Sequence, residues 1–143
     1  MKFIAKFLSV SVLTLVLLAG LSGCLSAQKA GLTDQQVAGV TENILKAIDG
    51  NNYKAFTHDL SPQMKAAFTQ EKFSQLRSML YNASGDFSSM DEPSISNSQG
   101  YAVYRFPTEY AKETVTVTAT FVIGGQEVEG LFFDSAALRK VSP

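Results

Sequence analysis

The chain has 143 residues, with 12 Lys+Arg against 13 Asp+Glu, one His and one Cys. One domain is expected at that length, because a second would be too small to bury its own core, and 45% hydrophobic with 17% charged residues excludes a disordered chain. The single Cys excludes an intramolecular disulfide and an all-Cys zinc site, the single His excludes a site needing two imidazoles, and a net charge of −1 gives no general attraction to nucleic acid.

The first segment reads as targeting. Lys2 and Lys6 are followed by an uncharged apolar run over residues 7–21 and then by Leu21-Ser22-Gly23-Cys24. This arrangement resembles a prokaryotic lipoprotein signal peptide with its lipobox. The resemblance implies that the Cys24 sulfur, the nucleophile of the reaction, takes a diacylglycerol and that Cys24 becomes the first mature residue. Two other readings compete. An uncleaved anchor is one, since about 20 apolar residues span a bilayer, but residues 22–28 are too polar to favour it. An ordinary secretory signal is the other, and it leaves a free Cys unexplained. The expected location is extracytoplasmic, at the cell membrane or envelope, attached through covalent lipid. Cleavage before Cys24 removes two lysines and no acid, which takes the charge from −1 to −3 and leaves no polybasic patch for anionic lipid.

Residues 24–31 are expected to be the lipidated Cys and a short tether, and residues 32–140 a single domain. Thr33 or Asp34 caps a helix to about Asp49, with Val37, Val40, Ile44 and Ile48 on one stripe. Tyr53, Phe56 and Leu60 form a second, shorter stripe. Ser61-Pro62 restarts the chain as a cap and first helical residue, with Met64, Ala67 and Phe68 facing one way. Thr69 caps a further helix with Phe73, Leu76 and Leu80 inward, ending near Gly85.

Beyond Gly85 the period changes to two. Residues 87–90 read as a weak strand, broken by Asp91-Glu92-Pro93, and residues 95–98 as a brief one. Residues 101–106 form a clear strand. In residues 114–123, Val115, Val117, Ala119 and Phe121 alternate with Thr114, Thr116, Thr118 and Thr120. Gly124-Gly125 predicts a two-residue hairpin turn, and residues 126–133 the returning strand. Its alternation fails at Leu131-Phe132-Phe133, so Gly130 is expected to form a bulge with positive φ. That bulge would send Leu131 and Phe133 inward with Val128 and leave Phe132 on the outer face beside the threonines. Helices first and an antiparallel meander second predict an α+β fold.

Helices packed on a curved antiparallel sheet resemble the nuclear-transport-factor-2-like, cystatin-like cone. The stretches Asn52-Tyr53-Lys54-Ala55-Phe56, Met64-Lys65-Ala66-Ala67-Phe68-Thr69, 73–77, 101–106 and Val128-Glu129-Gly130-Leu131-Phe132-Phe133 resemble, more narrowly, the envelope-associated family numbered 3887 among the domains of unknown function. The likeness covers about residues 32–139 and consists of packing and turn signatures. It implies the fold and supplies no catalytic residues. In relatives the domain can precede a hydrolase domain, and none follows here, so a stand-alone module is expected.

The candidate chemistry is sparse. His58 beside Asp59 suggests acid–base work, but His58 points away from the Tyr53/Phe56/Leu60 stripe, as an exposed helix residue does. The acids Asp34, Glu42, Asp49, Asp59, Glu71, Asp91 and Glu92 occupy caps and turns and lack the spacing of a calcium loop. No metal, cofactor or catalytic residue is expected. Asn82-Ala83-Ser84 is a glycosylation sequon by letter only. Tyr53, Tyr101 and Tyr104, with Tyr110, are candidates for a pocket under the helices, where a hydroxyl could donate in an apolar setting. The alternative role for each is amphipathic core edge. Phe132, Thr116 and Thr118 are candidates for an interaction surface.

The function expected is a lipid-anchored, noncatalytic binding module. It would contact an envelope protein or a small apolar ligand, and could pair as a homodimer through the sheet. The alternatives are an isomerase- or dehydratase-like enzyme, or a small-ligand carrier, using the pocket under the helices, and a purely structural envelope lipoprotein. No nucleic-acid partner is expected.

Overall fold

Each of the first four helices starts where the sequence supplies a side-chain acceptor. Thr33 opens α1 (Asp34–Asp49) with a capping box: its hydroxyl accepts from the Gln36 amide at 3.2 Å, and the Gln36 side chain accepts from the Thr33 amide at 2.9 Å. Asn52, Ser61 and Thr69 cap α2 (Tyr53–Thr57), α3 (Pro62–Ala67) and α4 (Gln70–Ser84) by accepting from the Ala55, Met64 and Lys72 amides. Gly85 ends α4 at φ 85°, and a Cβ there would lie 2.9 Å from the Cβ of Ala111. The computed structural model describes residues 26–141; Leu21, Ser22, Gly23 and Cys24 lie outside them.

After the helices come β1 (Phe87–Met90), β2 (Ser94–Ser98), β3 (Tyr101–Tyr110), β4 (Thr114–Val122) and β5 (Val128–Asp134), then a short α5 (Leu138–Val141). The strands form one open antiparallel sheet in the order β1-β3-β4-β5, with β2 also paired to β3. The architecture is therefore α+β, with the helices packed on the sheet.

β1 and β2 are two halves of one edge. β1 pairs with residues 108–110 and β2 with residues 101–105 of the same strand. Pro107 explains the gap. Its carbonyl accepts from the Asp91 amide at 2.9 Å, so its missing N–H also points toward that edge, where residues 91–93 leave the ladder. The sequence pattern ended this strand at Phe106, whereas β3 continues through Pro107 to Tyr110.

One face of the sheet is the core. Ala102, Tyr104, Phe106, Thr108 and Tyr110 of β3, Val115, Val117, Ala119 and Phe121 of β4 and Val128 of β5 are all buried. They meet Val37, Ile44, Leu45 and Ile48 of α1, Phe56 of α2 and Phe73 and Leu80 of α4. The period-3.6 stripes and the period-2 alternation both face this interior, which fixes strand register against the helices.

Three local expectations change. The β4–β5 connection spans residues 123–127, with Gly125 N–H donating to the Val122 carbonyl at 2.8 Å around Ile123 and Gly124, so it is not a two-residue Gly124-Gly125 hairpin. The bulge in β5 is present, but Glu129 is its extra residue: Phe121 faces Val128 and Thr120 faces Gly130. Gly130 is not among the positive-φ residues. What restricts it is the opposite strand, because a Cβ there would lie 3.3 Å from the Thr120 Cβ.

The third change concerns residues 28–31, which are not a free tether. Gln28 and the Asn97 side chain exchange two hydrogen bonds, at 2.7 and 2.6 Å. The Ala30 amide donates to the Tyr104 hydroxyl at 3.1 Å, and the Gly31 amide to the Gly125 carbonyl at 2.7 Å. Gly31 is needed for that approach, since a Cβ there would fall 2.3 Å from the Gly124 carbonyl oxygen.

Candidate functional site

The tyrosines expected to share a pocket are separated by strand alternation. Tyr101 lies on the outer face of the sheet, 39% exposed, while Tyr104, three residues on, is fully buried on the inner face. Tyr104 packs edge-on to Phe121 and stacked on Phe106, and its hydroxyl already accepts from Ala30. Tyr53 stands at the rim of the helical layer and donates to the Phe68 carbonyl at 2.7 Å. Tyr53 and Tyr104 hold elements together, and the three tyrosines do not converge on a ligand position.

Tyr110 is the tyrosine that approaches an acid. Burial first, and then the charge of Asp49, raise the pKa of its phenol. Burial also raises the pKa of Asp49 at the end of α1, against the Phe87 amide, which donates to its carboxylate at 3.0 Å. The Phe87 bond to Asp49 ties α1 to β1, and neither Asp49 nor Tyr110 lines the clefts that flank α1. No sequence spacing announced their approach, because Asp49 and Tyr110 are brought together only by the helix lying on the sheet.

Glu113 is a residue the sequence did not mark. It sits in the β3–β4 turn and accepts from Ser84 at 2.7 Å, Ser135 at 2.6 Å and the Ala137 amide at 3.3 Å. Burial pushes its pKa up, but these donors and the Lys140 charge outweigh burial and hold it below the usual glutamate range. Three segments distant in sequence thus share one carboxylate, which is a structural clasp.

His58 is 79% exposed, as its helix position predicts, and its Nδ1 lies 2.7 Å from the Asp59 carboxylate. The two residues line a shallow cleft of about 410 Å³ with Asn43, Lys46 and Asn52. On the other side of α1, Glu42, Asp91 and Glu92 border a cleft of about 530 Å³. Among the described residues, no group of three or more His, Cys, Asp or Glu is placed to hold a metal ion.

The outer sheet face assembles the other candidates. Thr118 stands directly opposite Phe132, and Thr116 lies between Pro107 and Asp134. Phe132 is 63% exposed, which is unusual for a phenylalanine on a strand. Tyr101 and Val122 face each other at one end of the same surface, and Arg105 donates to Ser96 at 2.6 Å near its middle. The helices pack on the opposite face.

The molecule is therefore an α+β domain with its aromatic interior occupied by its own side chains and a bare, β-branched outer sheet. No curated protein matches the chain. The chain belongs to the family described as protein of unknown function (DUF3887), which matches residues 41–130.

Proposed function

We propose that this protein is a lipid-anchored, extracytoplasmic interaction module that works through the outer face of its sheet rather than through a catalytic pocket. The observation that carries this reading is Phe132, held 63% exposed opposite Thr118 by the bulge at Glu129. An exposed aromatic flanked by threonines offers apolar area at little conformational cost, which is what a partner surface uses. Anchoring at Cys24 would confine the module to the membrane plane and raise its effective concentration toward an envelope partner or a second copy. The pocket-based readings lose support because the hydroxyls of Tyr53 and Tyr104 are engaged within the fold.

The test is a photo-crosslinking amino acid placed at Phe132 in the full chain in its native membrane, with the same group at His58 as control. We expect adducts of discrete mass from position 132, absent from position 58 and lost when Thr118→Lys is added. Twice the chain mass identifies a second copy, and another discrete mass an envelope protein. Equal labelling from both positions, or none from 132, overturns the reading.

A further inference from the structure

We infer that the end of the sheet carrying Tyr101 and Val122 rests on the lipid bilayer, so that the domain stands end-on and its outer face stays clear of the membrane. This rests on the lipid anchor proposed at Cys24. It adds the orientation, which the anchor alone leaves free.

The first support is where the N-terminal segment is fixed. From Gln28 on, the chain is hydrogen-bonded to the domain, and the Asn97 amide that donates to the Gln28 carbonyl also donates to the Tyr101 carbonyl at 3.4 Å. Next in line, the Lys29 carbonyl accepts from Gly124, two residues beyond Val122. The four residue steps from Cys24 to Gln28 reach at most about 13 Å. A lipidated Cys24 therefore holds this end of the sheet within that distance of the surface, whatever the rest of the domain does.

The second support is chemical. Tyr101 is 39% and Val122 44% exposed, and they face each other across β3 and β4. Tyrosine suits the bilayer interface, with an apolar ring and a polar tip. The strands and turns around the pair carry no charge over residues 93–104 and 114–126. Lys29 is paired with Asp34, and Glu127 follows the β4–β5 turn. The opposite end holds Asp86, Glu109, Lys112 and Glu113. A surface that must lose water is best built from the end whose strands carry the fewer charges. Phe132 lies opposite Thr118, four residues along β4 from Val122, or about 13 Å at strand rise. End-on docking therefore leaves it accessible from the side.

The chain has no Trp, so Tyr101→Trp, Val122→Trp and Thr116→Trp each introduce one reporter. Each full-length variant is extracted from membranes, its acyl mass at Cys24 is checked by intact mass spectrometry, and it is reconstituted in phosphatidylcholine vesicles brominated near the headgroup. We expect quenching of about twofold at positions 101 and 122, the depth of an interfacial aromatic, and none at 116. Acylated protein unquenched at both 101 and 122 overturns the end-on orientation alone. Equal quenching at all three positions also overturns it, by showing the sheet lying flat. Protein without acyl mass overturns the anchor and the orientation together.

Discussion

The buried amide of Ala30 donates to the hydroxyl of Tyr104 at 3.1 Å, and that bond fastens the N-terminal segment to the middle of β3. Tyr104→Phe keeps the ring packing against Phe106 and Phe121 but leaves the Ala30 amide without its partner. Leaving a buried donor unsatisfied costs about 1–3 kcal/mol. We expect a lower melting temperature and faster amide exchange at Ala30 and Gly31, with exchange in α4 little changed. Unchanged exchange at both residues would show that the hydroxyl does not hold this segment.

Gly31→Ala tests the same attachment sterically. The new Cβ would fall 2.3 Å from the Gly124 carbonyl oxygen, and backbone cannot swing aside as a side chain can. The expected cost is about 1–3 kcal/mol, as for other overpacked sites, visible in chemical denaturation. A neutral result would mean that the segment is as loose as its composition suggests.

Glu113 makes stability depend on pH. Its folded pKa is lowered, so its contribution is present above the ordinary glutamate range and is lost as pH falls through the lowered folded value. Asp49 acts in the opposite sense: its folded pKa is raised, so it favours the fold below its ordinary value and ceases to as pH rises through the raised one. Glu113→Gln is expected to lower stability by about 1–2 kcal/mol at pH 7. The variant should converge with the parent as pH falls through the lowered folded value, where both are neutral at this position. A difference that stays constant through the acid unfolding range would remove the charge from the explanation.

The β5 bulge gives a cycle. Gly130→Val should destabilise by about 1 kcal/mol through crowding of Thr120, and Thr120→Gly, which removes the crowded Cβ, should recover part of the loss when combined with it. A penalty from backbone strain would instead be indifferent to Thr120. Equilibrium denaturation of the four combinations separates the two causes.

The local rules of the chain were legible without the fold. Thr33, Ser61 and Thr69 occupy caps because a short side-chain oxygen at the start of an apolar stripe has one efficient use. Val115 to Phe121 face the core because alternation admits one solution when only one face is buried. The outward position of Phe132 followed from the same counting, once one extra residue was allowed in β5. Tertiary structure decided everything that joins distant residues. Tyr101 and Tyr104 are alike by letter, but strand parity sends one to the outer face and the other to the core. Gly31 reads as linker until Gly124 is placed against it. Glu113 looks like one more turn acid until Ser84 and Ser135 arrive from α4 and from the end of β5. Hydrogen bonds and close contacts of that kind depend on where chain segments meet in space, and the pattern of a segment records only which of its own faces avoids water.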